Sequence, residues 1–135
     1  MTVGIDTSVA VRLLIGEPVA QAEAARQLLD AHQQVAVTIS DLVVGETYFV
    51  LRHHYAVPHG EAVATLRAFL ADRRVLATGA ALALLLALPD REAAPGFMDR
   101  LIHADYARDG SSLVTFDRSA AKLSGARLLG ATRRR

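Results

Sequence analysis

Four acidic residues along the chain have the type and setting of metal-binding carboxylates. Asp6 and Asp117 each follow directly after a short apolar run that is typical of a β-strand, at residues 3–5 and 113–116. Glu46 and Asp99 each stand among apolar residues in a stretch with helical periodicity. An acid on a core-facing helical stripe is costly unless it is paired or bound to a cation, so these positions indicate a site.

A cluster of these four carboxylates would favour one kind of chemistry. Converging carboxylates repel one another and raise one another's pKa values, and a hard divalent cation relieves that repulsion. The chain has no cysteine, and oxygen-only ligands favour Mg²⁺ or Mn²⁺ over Zn²⁺. Such a site supports metal-assisted hydrolysis of a phosphodiester. A structural role stays open for each acid alone: a helix cap for the two that follow strands, or an ion pair with Arg52 or Arg100 for the other two.

The elements that must position these acids alternate between strand and helix. Asp6 leads into a helix that Thr7 or Ser8 can cap, and Ser40 or Asp41 can cap the third helix. The periodicity predicts strands at residues 3–5, 35–39, 75–77 and 113–115, and further helices at residues 18–32, 42–55, 61–71, 79–88, 97–108 and 119–123. A last apolar run at residues 127–129 finishes the domain. This alternation indicates an α/β fold with a mostly parallel sheet covered on both faces, in which sites lie beyond the carboxyl ends of the strands.

Composition limits the classes of function. A length of 135 residues fits one domain, predicted at residues 1–130, followed by an arginine-rich tail at 131–135. With 52% hydrophobic and 21% charged residues the chain is too apolar to be disordered. Aromatic residues make up 5% and tryptophan is absent, which argues against a base-stacking platform. No secretory signal precedes Asp6, and the longest apolar stretch, residues 80–88, is too short to span a bilayer, so a cytoplasmic location is expected.

Four ordered sequence blocks carry a resemblance to a known family. They are residues 4–8 (GIDTS), 39–47 (ISDLVVGET), 96–102 (GFMDRLI) and 114–118 (VTFDR). With these blocks the chain resembles PIN-domain ribonucleases, and among them the VapC-type toxins of type II toxin–antitoxin pairs. The resemblance implies a three-layer α/β/α sandwich. It also implies Mg²⁺-dependent or Mn²⁺-dependent endonucleolytic cleavage of RNA, a homodimer, and inhibition by a small VapB-type antitoxin.

The resemblance also assigns roles to individual residues. Its implied metal ligands and catalytic residues are Asp6, Glu46, Asp99 and Asp117. Thr7 or Ser8, together with Thr115, would orient carboxylates or water around them. Arg12, Arg100 and Arg118 lie near the four blocks and could contact the RNA backbone. Asp117 would either bind the metal or position the attacking water.

Two departures from the family pattern keep a second function open. Many relatives carry further acids at the positions of Gly96 and Ser119. A catalytically weak or inactive PIN-like module that binds RNA or a protein partner is therefore the alternative. A phosphatase of the haloacid-dehalogenase type is disfavoured, because Asp6-Thr7-Ser8 lacks the second acid of an Asp-x-Asp motif. A receiver domain is disfavoured too, because residues 75–79 contain no phospho-acceptor aspartate.

Overall fold

The computed structural model describes residues 2–130, and the predicted tail at 131–135 lies outside them. Short strands separate groups of helices along the chain, as the sequence predicts, but the predicted first strand at residues 3–5 forms only an isolated bridge between Gly4 and Thr38. The helices are α1 Thr7–Ile15, α2 Val19–Ala31, α3 Asp41–His53, α4 His59–Ala71, α5 Ala81–Ala87 and α6 Phe97–Arg108; the strands are β1 Val37–Ile39, β2 Val75–Ala77, β3 Val114–Thr115 and β4 Arg127–Leu128. A short 3-10 turn at Ala120–Lys122 follows β3. Among the helices of the described residues, none has the length and apolar character needed to cross a membrane.

The parallel sheet is organised around β1. On one side β1 pairs in parallel with β2, with Val37 opposite Val75. On its other side the segment 3–5 runs alongside, where the Ile5 amide donates to the Thr38 carbonyl at 2.9 Å and the Thr38 amide donates to the Val3 carbonyl at 2.7 Å. The parallel strands and their connecting helices confirm the predicted α/β fold. Asp6 therefore stands at the carboxyl end of a segment that borders the central strand.

A second parallel pair lies at the end of the domain. Strands β3 and β4 pair with each other, with Val114 opposite Arg127. Within residues 2–130 no backbone hydrogen bond joins β3 to segment 3–5, so the segments that precede Asp6 and Asp117 are not paired with each other. The pair is short and Val114 is exposed, so little apolar burial drives β3 into the central sheet. His103 of α6 reaches this unit, and its Nε2 lies 2.6 Å from the Ser124 carbonyl.

The core lies between β1 and helices α3, α4 and α5. Its largest fully buried hydrophobic side chains are Ile39, Leu51, Leu66, Leu85, Val37, Val44 and Val63. Each such side chain contributes about 1.5–3 kcal/mol when fully removed from water. Because this core holds β1 and α3, it fixes the two elements that flank the candidate site.

Helix boundaries differ from the predictions where local capping decides them. Helix α3 ends at His53 rather than residue 55, and Ala56 has a left-handed backbone with φ of 53°. Helix α4 begins at His59 rather than residue 61, directly after Pro58, whose fixed φ suits the start of a helix. Strand β1 begins at Val37 rather than residue 35, since Val35 is exposed and has no buried face to contribute.

Two neighbouring residues cap two different helices. The Ser40 hydroxyl accepts from the Val43 amide at 3.3 Å and so caps α3. The Asp41 carboxylate instead accepts from the amides of Ala80 and Ala81, at 2.9 and 3.0 Å, at the start of α5. A Cβ on Gly79 would collide with this carboxylate, so the close approach requires glycine there. Asp41 therefore has a structural role and ties α3 to α5.

Candidate functional site

Asp6 is fixed by the first turn of α1. Its Oδ1 accepts from the Ser8 hydroxyl at 2.6 Å and from the Val9 amide at 3.1 Å, which makes Asp6 the N-cap of the helix. These two hydrogen bonds hold the pKa of the Asp6 carboxyl below its ordinary value. The Asp6 side chain is exposed and charged at neutral pH. Ser8 contacts the Asp6 carboxylate, whereas the predicted cap of α1 by Thr7 or Ser8 is wrong, because Asp6 provides it.

Glu46 is joined to the same turn through Thr7. The Thr7 hydroxyl donates to Glu46 Oε1 at 3.0 Å, across 39 positions of sequence. One turn of α1 therefore holds a carboxylate from its own cap and a carboxylate from α3. The expectation that Glu46 lies on a core-facing stripe is wrong, because its side chain is exposed. The buried face of α3 is formed by other residues, namely Val44, Gly45, Thr47, Tyr48 and Leu51.

Asp99 lies next to the contact between α6 and α3. A Cβ built on Gly45 would lie 2.8 Å from Met98 Cε and 3.3 Å from Leu101 Cδ2, so a side chain at position 45 would displace the Met98 side chain. Glu46 and Asp99 each follow directly after one of the contacting residues. Asp99 lies half-buried in the first turn of α6, where the helix dipole favours a negative charge.

Asp117 has the geometry of a structural cap. Its Oδ1 accepts from the amides of Ser119 and Ala120, at 2.7 and 3.2 Å, at the start of the 3-10 turn. Its own amide donates to the Thr115 hydroxyl at 3.0 Å. Thr115 therefore contacts the backbone of Asp117, and no described hydrogen bond joins it to a carboxylate. The exposed side chain of Asp117 keeps its second oxygen without a hydrogen bond among residues 2–130.

The structure brings only some of the four acids together. Asp6 and Glu46 share one turn of α1, and Asp99 adjoins the α3–α6 contact. Across the described part of the chain, residues 2–130, no group of three or more Asp, Glu, His or Cys side chains is arranged to hold a metal ion. The carboxylate oxygens suit Mg²⁺ or Mn²⁺ as donors. The arrangement of these residues in the structure does not by itself form a complete metal site.

The three arginines singled out from the sequence have different environments. Arg12 donates from Nε to Gln21 Oε1 at 2.8 Å, and its guanidinium lies beside the Asp6 turn. Arg100 donates from Nε to the Pro95 carbonyl at 2.8 Å, so it stabilises the loop before α6. Arg118 is exposed next to Asp117. Arg12 lines the same groove as Thr7 and Ser8, which lie in the turn that holds two acids.

A groove beside the carboxylates was not singled out from the sequence. It lies between α1 and the C-terminal half of α3, has a volume of about 480 Å³, and is lined by Ser8, Arg12, Phe49, His54 and Tyr55 among others. We call it the α1–α3 groove. A helical period of 3.6 residues places Phe49 off the buried face of α3. The position of Phe49 relative to the buried residues of α3 is the sequence signal that could have indicated an exposed aromatic side chain in the groove.

Comparison with known proteins identifies the family to which the chain belongs. The sequence matches the PIN domain family over residues 3–126. None of the curated proteins and none of the solved structures gives a match. The family match spans nearly the whole chain and includes all four acids and the turn that holds Asp6 and Glu46. PIN domains are generally nucleases that use divalent metal ions. The chain therefore belongs to the PIN domain family.

Proposed function

We propose that this protein is a metal-dependent endoribonuclease that acts as the VapC-type toxin of a toxin–antitoxin pair. The observation that carries the proposal is the first turn of α1, where Thr7 donates to Glu46 and Ser8 donates to Asp6. Two carboxylates from distant parts of the chain are held by one turn beyond the end of a sheet segment. That is the position in which open α/β sheets place their sites.

The proposed ligands are Asp6, Glu46 and Asp99, with Asp117 as a further ligand or as the group that positions water. When bound, Mg²⁺ or Mn²⁺ would lower the pKa of a water molecule and neutralise charge on the phosphate. Ser8 and the Val9 amide keep Asp6 ionised and fixed in orientation. Thr7 fixes Glu46 in the same way. Family chemistry would leave a 5′-phosphate and a 3′-hydroxyl.

Metal binding tests the site without knowledge of the RNA target. Mn²⁺ is titrated into the metal-free protein by calorimetry, with Asp6→Asn and Asp99→Asn as the test variants. Asp105→Asn, an exposed carboxylate on the same helix as Asp99, is the matched control. We expect saturable binding in the parent and the control, and a loss of at least about tenfold in both test variants. Equal weak binding in all four proteins would contradict the proposal.

A second candidate function is an inactive PIN-like module that binds RNA or a protein partner. It is favoured by the absence, within residues 2–130, of three acids arranged around one point, and by Gly96 and Ser119 where many relatives carry acids. Asp117→Asn separates the two functions. A nuclease loses Mn²⁺-dependent turnover of RNA in this variant, whereas a binding module keeps its partner and shows no turnover in either form.

The proposed partners follow from the toxin function. A small VapB-type antitoxin would restrain the enzyme by inserting a segment into the acidic site, and the toxin would act as a homodimer in the cytoplasm. Co-expression of the chain with the product of the adjacent reading frame tests the antitoxin. A stable complex that abolishes RNA cleavage is the expected result, and cleavage that persists in such a complex would contradict the toxin assignment.

A further inference from the structure

The α1–α3 groove has an aromatic wall that the proposed cleavage site does not use. Phe49 is 56% exposed and Tyr55 is 37% exposed. The Phe49 ring lies 4.4 Å from the His53 ring, centre to centre, and the His54 ring lies 4.7 Å from the Tyr55 ring. Exposed rings that adjoin a groove are available to stack on a planar ligand.

The groove is continuous with the carboxylates. Thr7 and Ser8 line it, and these are the residues whose hydroxyls donate to Glu46 and Asp6. Phe49 lies three residues after Glu46 on α3, so the two side chains are neighbours on one face, about 4.5 Å apart along the helix axis. The Phe49 ring therefore lies beside an approach to the carboxylates along the groove.

The groove also carries a positive charge suited to a phosphate. Arg12 lines it, one turn after Ser8. Only the Nε of Arg12 is hydrogen-bonded within residues 2–130, to Gln21. The two terminal nitrogens are therefore available, and a guanidinium fork matches the geometry of a phosphate group. A ligand with planar rings and phosphates fits this combination better than an apolar peptide does.

Resting on the proposed function, we propose that the α1–α3 groove is the substrate subsite for single-stranded RNA next to the cleavage point. An unstacked base lies on Phe49, with Tyr55 further along the groove, and Arg12 binds an adjoining phosphate. The volume of about 480 Å³ lies within the range of about 300–1,000 Å³ typical of small-ligand sites. The low aromatic content of the chain does not exclude this mode, because one base needs only one ring.

Binding of RNA in EDTA tests the subsite separately from cleavage. The probe is a short single-stranded RNA that carries one 2-aminopurine, whose fluorescence is quenched when the base stacks. Phe49→Ala and Phe49→Leu are the test variants, since leucine keeps apolar contact but has no aromatic face. Tyr106→Ala, which removes another exposed aromatic ring on α6, is the control. We expect both Phe49 variants to bind at least about fivefold more weakly and to lose quenching, with the control unchanged.

Salt dependence tests the role of Arg12. For a single strand, each phosphate contact contributes about 0.7 to the slope of log K against log salt concentration. We expect Arg12→Gln to reduce that slope by about this amount and Arg108→Gln, an exposed arginine at the end of α6, to leave it unchanged. An unchanged slope for Arg12→Gln would remove Arg12 from the subsite.

The outcomes separate the subsite from the nuclease function. Equal RNA affinity and equal quenching in the parent and both Phe49 variants would overturn the subsite, and the groove would then be a face for a protein partner such as an antitoxin. If the parent also cleaves RNA with Mn²⁺, the nuclease proposal stands without the subsite. If the Phe49 variants lose binding while the parent never cleaves, the subsite stands and the nuclease proposal fails.

Discussion

The cap that Asp41 provides for α5 gives the sharpest prediction about stability. Helix α5 has seven residues and is too short to be stable without tertiary support. The Asp41 carboxylate of α3 accepts hydrogen bonds from two backbone amides at the start of α5, those of Ala80 and Ala81, at 2.9 and 3.0 Å. We therefore expect Asp41→Ala to lower the free energy of unfolding by about 2 kcal/mol, the upper part of the range for loss of an N-cap. Loss of a negative charge from the first turn of α3 adds a few tenths of a kcal/mol.

A graded series makes the reasoning testable. Asparagine keeps one acceptor oxygen and replaces the other with a donor, so Asp41→Asn should cost about half as much as Asp41→Ala. Ser40→Ala removes one long hydrogen bond of 3.3 Å and should cost about 0.5–1 kcal/mol. Urea unfolding at pH 7 measures all three. For a chain of 135 residues, the Asp41→Ala change corresponds to a fall in Tm of about 8 °C.

The series also separates structure from function. Asp41 lies within the sequence block 39–47 that contains Glu46, but its carboxylate caps α5, so Asp41→Asn should bind Mn²⁺ as the parent does. A loss of less than about 0.5 kcal/mol in Asp41→Ala would refute the capping argument. A loss of Mn²⁺ binding in a folded Asp41→Asn protein would instead make Asp41 part of the metal site.

Three further outcomes follow from the packing and the charges. Gly45→Val should destabilise the protein by about 1–3 kcal/mol in urea unfolding, because the added atoms meet Met98 on the facing helix; a stabilised variant would show that α6 moves freely. Leu66→Ala should cost about 2–5 kcal/mol, since Leu66 is fully buried, and a cost below about 1 kcal/mol would contradict that burial. The Arg74 hydrogen bond at 2.8 Å lowers the pKa of Asp72, so its contribution is present above about pH 4 and is lost as pH falls further. Asp72→Asn should therefore cost about 1 kcal/mol at pH 7 and progressively less as the pH falls below about 4 in chemical unfolding; a cost that does not change with pH would remove the ion pair as its cause.

The sequence predicts the helices and strands best where glycine and other turn-forming residues mark their ends. Strand β2 and helix α6 occupy the predicted residues 75–77 and 97–108. Helix α6 follows Gly96 and ends before Asp109-Gly110, and these residues are strong helix boundaries. The end of α3 is less predictable, because it depends on the left-handed backbone at Ala56 rather than on a glycine.

The candidate site is only partly visible in the sequence. The pattern leaves a helix cap open for Asp6 but names Thr7 or Ser8 as the cap of α1, and the structure gives that cap to Asp6. The pattern cannot show the hydrogen bond from Thr7 to Glu46, which joins residues 39 positions apart. The apolar neighbours of Glu46 also lead to a wrong prediction that its side chain faces the core. Some of these neighbours, such as Phe49, are themselves exposed on the same side of α3. The carboxylate contacts of Asp41 with α5 are non-local in the same way.

The packing of the Met98 side chain against Gly45 makes the candidate site sensitive to oxidants. The chain has no cysteine, so methionine is its readily oxidised residue type. Met98 is 36% exposed, and its Sδ would lie 2.9 Å from a Cβ at Gly45. Peroxide would convert this thioether into a polar, chiral sulfoxide where α6 packs on α3. The lesion lies one residue from Asp99, so oxidative damage would reach the carboxylates through helix packing and would be reversed by methionine sulfoxide reductases.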